Sequence, residues 1–237
     1  MQPIAGEVSQ IKYIAYIPKM IIVMKRVIFP AILLLFFGFI TSSSGQISGT
    51  AHDFSSETWA PAENKMCAVC HASHQANSVP GAPLWSHEST AVAGYTLYSS
   101  PSFDAHGGTT ITDPAASSKL CLSCHDGTVA LENFGGITTG TSIIDPAYRI
   151  GGASGDDLSN EHPISFDYTT ALATLDGGLH DPATTNTGLG GTIASDMLFN
   201  NKMQCASCHD VHNKYGVNKL LKMVNTSSQL CLTCHDK

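Results

Sequence analysis

Cys205-Ala206-Ser207-Cys208-His209 is a C-x-x-C-H pentapeptide, and three more occur in the chain: Cys67-Ala68-Val69-Cys70-His71, Cys121-Leu122-Ser123-Cys124-His125 and Cys231-Leu232-Thr233-Cys234-His235. Together they use all eight cysteines, so no thiol is left over for a disulfide. Two thiols three positions apart lie on one side of a helical turn, where they can add to the two vinyl groups of one porphyrin while the adjoining imidazole reaches the iron. The pattern is the attachment signature of c-type haem. Each copy is therefore a covalent clamp, through Cys67 and Cys70, Cys121 and Cys124, Cys205 and Cys208, or Cys231 and Cys234. Each also brings one axial ligand, respectively His71, His125, His209 or His235. Four covalently bound haem c groups are expected.

Two other chemistries use paired cysteines. A zinc ribbon does not require histidine directly after the second cysteine, and a thioredoxin-type redox pair has no reason to occur four times. An iron–sulfur cluster of the bacterial type needs a C-x-x-C-x-x-C run, which the chain lacks.

Outside the motifs the chain of 237 residues is rich in glycine, serine, threonine and proline, with 13% charged residues and no long apolar helical period. So loop-rich a polypeptide is not expected to offset its own ordering entropy with a side-chain core. The expected fold is mostly irregular coil with a few short helices wrapped around a stack of four c-type haems, and little or no sheet. Without the porphyrins no fold is expected.

At the N-terminus, Met24-Lys25-Arg26, the apolar run 27–40 and the small residues 41–45 have the three zones of a secretory signal. The apolar run is short for a spanning helix, and no cysteine follows it to carry a lipid, so no stable membrane anchor is expected. Residues 1–23 read as upstream sequence from a misplaced start, 24–45 as the signal, and 46–237 as a single tetrahaem domain. Cleavage near residue 45 leaves eight basic and eighteen acidic residues. A chain this acidic is a poor partner for nucleic acid or anionic membrane, and a better one for oxidised metal ions and basic redox proteins.

Read in order, 79–87 is a proline-punctuated loop, Thr96–Pro101 a short strand at most, and Asp113-Pro114 the cap and first position of a helix leading into the second motif. The stretch 126–157 has no regular pattern and is expected to drape over a porphyrin. His162-Pro163 is extended, and Asp167 is expected to cap a helix over 168–175 that Gly177-Gly178 ends. The glycines at 188, 190 and 191 open no strand-turn-helix phosphate site and read as loop glycines. No catalytic constellation stands out.

An internal repeat organises the motifs. Asn64-Lys65-Met66-Cys67 through His74 resembles Asn201-Lys202-Met203-Gln204-Cys205 through His212, both ending C-H-x-x-H, while Lys119-Leu120-Cys121 through Asp126 resembles Gln229-Leu230-Cys231 through Asp236. The order A-B-A-B is a two-haem unit used twice, 46–157 and 158–237. On these residues most of 46–237 resembles a doubled-CXXCH tetrahaem cytochrome c. Within that group, Cys205 to His212 and Glu161-His162-Pro163 resemble the multihaem cytochromes that polymerise into extracellular electron-conducting filaments in metal-reducing bacteria. The resemblance implies little secondary structure, closely stacked haems and two histidines on every iron. Its implied partners are copies of the chain itself, other redox cytochromes and extracellular acceptors such as metal oxides.

Seven histidines lie outside the motifs, a surplus over the four sixth ligands needed. His74 and His212 each follow a proximal histidine by three residues, on the same side of its haem, so each should serve a neighbouring haem. His162, held extended by Pro163, resembles a distal position of the family. His52 is expected to be the fourth, narrowly ahead of His87, with His180 behind both and His106 in a flexible loop. Methionine ligation is the rival chemistry, but Met66 and Met203 lie just ahead of motifs and read as packing. In the filament-forming relatives the C-H-x-x-H histidine of the first motif reaches the last haem of the next protomer, which implies that His74 is donated in trans. The function expected is electron transfer, by a secreted polymer or by a monomeric periplasmic shuttle. A multihaem reductase of a small oxidant is the enzymatic alternative, and it needs an iron with an open position.

Overall fold

The computed structural model describes residues 46–60, 66–74, 76–79, 82–106, 113–114 and 116–237, all within one compact unit from Gly45 to Lys237. The readings of 1–23 and 24–45, and the Asn64-Lys65 part of the repeat, lie outside these residues, as does the side chain of His106. No helix among the described residues is long and apolar enough to cross a membrane.

Short helices outweigh strand, and most of them carry a motif. Helix α1, Ala116–His125, is the longest and contains the whole second motif. It starts two residues after Pro114, with Lys119 paired to Asp113 at its N-terminal end, where a carboxylate suits the helix dipole. It closes where Gly127, at φ 73°, donates its N–H to the Cys124 carbonyl at 3.1 Å.

Helix α2, Thr170–Asp176, begins later than the sequence suggested. Its cap is Thr169, whose Oγ1 accepts from the Leu172 N–H at 3.3 Å, and not Asp167. Asp167 is instead drawn into an ion pair with Lys202 at 2.8 Å. Gly177 ends α2 in the left-handed conformation, as expected. Helix α3, Ile193–Asp196, is capped reciprocally by Thr192 and Ser195. Helices α4, Cys205–Cys208, and α5, Gln229–Leu232, are single turns at the third and fourth motifs. The first motif sits on the 3-10 turn Met66–Val69.

There are two small sheets. Strands β1, Asn77–Val79, and β2, Ala82–Trp85, pair antiparallel across a bulge where the sequence suggested only a loop. Proline at position 83 is compatible with this because a two-stranded ribbon consists of edge strands, which tolerate a missing donor. Strand β3 is Thr96–Leu97, at the start of the suggested 96–101 stretch, and it pairs in parallel with β4, Asp157–Leu158. That pairing anchors the far end of the long glycine- and threonine-rich connection.

The apolar core lies under the motifs. Phe166, Tyr168, Leu172, Ala173, Ile193, Met197, Leu198, Met203, Leu230 and Cys234 form one buried cluster, with Cys208 packed against it. A smaller cluster joins Leu122 of α1 to Tyr95 and Leu158. The 158–237 half thus holds a larger side-chain core than composition suggested. Its ten residues come in ones, twos and threes from five short segments, too few in each for a periodicity to show in the sequence.

Candidate haem-attachment sites

Every motif forms a helical turn, as its spacing requires. The N–H of the histidine closes back on the carbonyl of the first cysteine at 2.8 Å in the first motif, 3.2 Å in the third and 3.0 Å in the fourth. All eight cysteines are unpaired. Among the described residues no three His, Cys, Asp or Glu side chains converge as a metal cage.

A backbone clasp holds the proximal histidines, and nothing in the sequence announced it. His71 bridges to Trp85, His209 to Leu221 and His235 to Leu179, each antiparallel. In the first motif the Ala72 N–H bonds the Leu84 carbonyl and the Ser86 N–H bonds the Cys70 carbonyl. In the third, Asp210 bonds Leu220 and Lys222 bonds Cys208; in the fourth, Asp236 bonds Gly178 and His180 bonds Cys234, all between 2.7 and 2.9 Å. The second motif is tied by a single bond, from the Ile150 N–H to the His125 carbonyl at 2.8 Å. The clasp fixes the backbone from which the imidazoles of the first, third and fourth motifs project.

The imidazoles meet in pairs. His71 stacks on His212 with ring centroids 6.2 Å apart and planes 13° from parallel. His125 faces His52 at 6.0 Å, and His235 faces His162 at 6.4 Å. Two imidazoles bound on opposite sides of one metal ion, through bonds of about 2 Å, put their centroids about 6.3 Å apart. The three separations are close to that value. The ring nitrogens fit as well: Nδ1 of His125 lies 2.8 Å from the Tyr148 carbonyl, that of His209 3.1 Å from Lys219 and that of His162 2.8 Å from Pro163. A backbone carbonyl on Nδ1 fixes the proton there and leaves Nε2 as the lone pair for a metal.

Burial, then the neighbouring His125, then His209, push His52 down to about 4, so its imidazole stays neutral and able to ligate well into the acid range. Burial, and next His162, lower His235 in the same direction.

Three of the four expected distal histidines, His52, His162 and His212, thus stand opposite proximal ones. His74 is exposed and faces none of them at that spacing, and no described imidazole faces His209 so. His87 is buried, with Nδ1 2.8 Å from the Glu88 carbonyl and Nε2 3.5 Å from the Cys124 sulfur. The backbone of His180 belongs to the clasp of the fourth motif.

The motifs lie in space in chain order. The Cys124 thiol is pushed up to about 12 by burial and then by its neighbours Cys70 and Asp126. Cys121 hydrogen-bonds Cys205, which this bond lowers to about 7. Cys234 is raised to about 12 by burial and then by Cys208 and Cys231. First therefore adjoins second, second adjoins third and third adjoins fourth. The central junction is cemented by buried polar contacts: Ser118 Oγ donates to Gln204 Oε1, Ser165 Oγ to the same oxygen at 3.3 Å, and the Cys205 N–H to Ser118 Oγ at 3.2 Å.

Residues 198–237 match the family model of the doubled CXXCH motif. That segment contains the third and fourth motifs and marks a haem-attachment region, which supports a c-type cytochrome role in electron transfer. No curated protein matches the chain.

Proposed function

We propose that the chain is a tetrahaem c-type cytochrome that carries electrons outside the cell and polymerises head to tail, with two histidines on every iron and no catalytic site. The observation that carries this reading is the set of three imidazole pairs at 6.0 to 6.4 Å. Haem c held at each motif supplies a one-electron couple, and paired histidines keep its potential low. The chain's own residues do the rest. Cys67, Cys70, Cys121, Cys124, Cys205, Cys208, Cys231 and Cys234 fix the porphyrins. His71, His125, His209 and His235 are the proximal ligands, and the clasp fixes their direction. His212 completes the site of His71, His52 that of His125 and His162 that of His235. Filled positions leave no place for a substrate, and motifs in contiguous order suit transfer from one group to the next.

The fourth distal ligand is assigned to His74 of a neighbouring copy. Within one chain the C-H-x-x-H histidine of the second A motif, His212, faces the proximal histidine of the first. The same step repeated beyond the chain brings His74 of the next copy to His209. This moves its acceptor from the last haem to the third, because the last has His162. A contact of this kind is heterologous and propagates without closing. The signal read at 24–45 supports a secreted protein, with redox cytochromes and metal oxides as partners.

The test combines three measurements on the native secreted protein: mass, for four added haems; electron paramagnetic resonance of the oxidised form, for low-spin iron throughout; and electron microscopy, for filaments. His74→Ala is expected to abolish filaments while three low-spin centres remain. Unaltered filaments refute the donation in trans, single particles in the native sample favour the periplasmic shuttle, and a high-spin iron in fully assembled protein favours the reductase.

A further inference from the structure

Three of the four motifs continue with aspartate, Asp126, Asp210 and Asp236, and the first continues with Ala72. Their surroundings differ. Asp236 is exposed, and Asp210 is half-buried near Lys222, whose pKa burial lowers against the opposing pull of Asp210. Asp126 is 1% exposed. Its Oδ2 accepts from the Tyr95 hydroxyl at 2.9 Å and from the Thr90 hydroxyl, and its Oδ1 accepts from both the Thr128 N–H and the Thr128 hydroxyl at 2.8 Å. Four neutral donors surround it, three of them hydroxyls and one a backbone N–H, an arrangement that suits a carboxylate.

Among the described residues Asp126 makes no ion pair. The Arg149 side chain lies over the neighbouring Gly127 with its Nε buried and unpartnered. Asp126 directly follows the proximal His125, and after burial and Cys70 it is a third cause of the raised pKa of the Cys124 thiol, so its field reaches the second motif. Burial keeps Tyr95 protonated well above its usual range, which secures it as a donor.

We infer that Asp126 is a fixed buried charge that makes the haem of the second motif the last of the four to accept an electron. An uncompensated negative charge favours the ferric, more positive iron, and in a protein interior water does not screen it away. The inference rests on the tetrahaem reading of the preceding section and adds to it an uneven energy profile along the row. Asp126 would act through its charge, as a tuning residue.

The test is a spectroelectrochemical titration of the haem-loaded protein. Asp126→Asn is expected to raise the lowest of the four potentials, changing the reduced-to-oxidised ratio of that centre about tenfold at fixed potential, which is ~59 mV for one electron. Asp236→Asn, at the exposed counterpart, should shift its centre far less. Tyr95→Phe removes one of the dipoles facing the carboxylate and should shift the same lowest potential downward, so the proposal remains testable if Asp126→Asn does not fold. Four haems by mass and low-spin spectra, with the lowest potential unmoved in either variant, would overturn the inference alone. Fewer than four haems in the unmutated protein would overturn the tetrahaem reading instead.

Discussion

Replacing His212 with alanine isolates one axial ligand from the stability of the chain. The His212 side chain is 55% exposed, and among the described residues its ion-pair contact is Asp210 at 3.8 Å. A partly exposed pair at that distance contributes about 0–1 kcal/mol, and a surface substitution is ordinarily within about 0.5 kcal/mol of neutral. The fold and the loading of four haems should therefore survive. What changes is the ring 6.2 Å from His71, at the separation a shared iron requires. One of four irons should become high-spin while three stay low-spin, so about a quarter of the low-spin ferric signal is lost. Added imidazole should restore it, because the deleted ring leaves a space of its own shape. The assay is electron paramagnetic resonance of dilute oxidised protein, with mass confirming equal loading. Four intact low-spin signals in the variant would refute the pairing of His71 with His212, and the use of ring separations as a guide to the other pairs would fall with it.

The remaining predictions concern the frame and are read by denaturant unfolding of the haem-loaded protein. Tyr168→Phe removes a buried hydroxyl that donates to the His180 carbonyl at 2.6 Å and lies 3.2 Å from that of Cys234, and should cost about 1–3 kcal/mol. Leu122→Ala empties a fully buried position on the second-motif helix and should cost about 2–5 kcal/mol, the more so if the helix cannot settle inward. Gly177→Ala meets no atom within 4 Å of the new Cβ, so only the left-handed backbone, φ 67°, opposes it; the loss should be about 1 kcal/mol. A much larger loss at position 177 would mean that more than the helix end depends on it.

The attachment motifs were legible because they are local: two thiols and an imidazole within five residues fix a helical turn wherever they occur. Gly177 as a helix stop, Met203 as packing and the strand at Thr96 were readable for the same reason. Longer-range features were not. That His52 turns to His125, and His162 to His235, depends on segments about 70 residues apart coming together. The strands on either side of positions 80 and 81 were hidden by prolines that rule out a helix without ruling out an edge. Asp167 looked like a cap because the competing cation, Lys202, lies far along the chain. Asp126, Asp210 and Asp236 are alike on paper, and only burial distinguishes them.

The backbone clasp has a consequence for speed. Gaining or losing an electron alters the charge at a metal centre, and whatever shifts in response must be carried along at every transfer. Posts gripped on both sides by main-chain bonds of 2.7 to 2.9 Å have little room to shift. A frame that stays still when charge passes through it lets the charge pass quickly, and three motifs share that frame in a region otherwise made of loops.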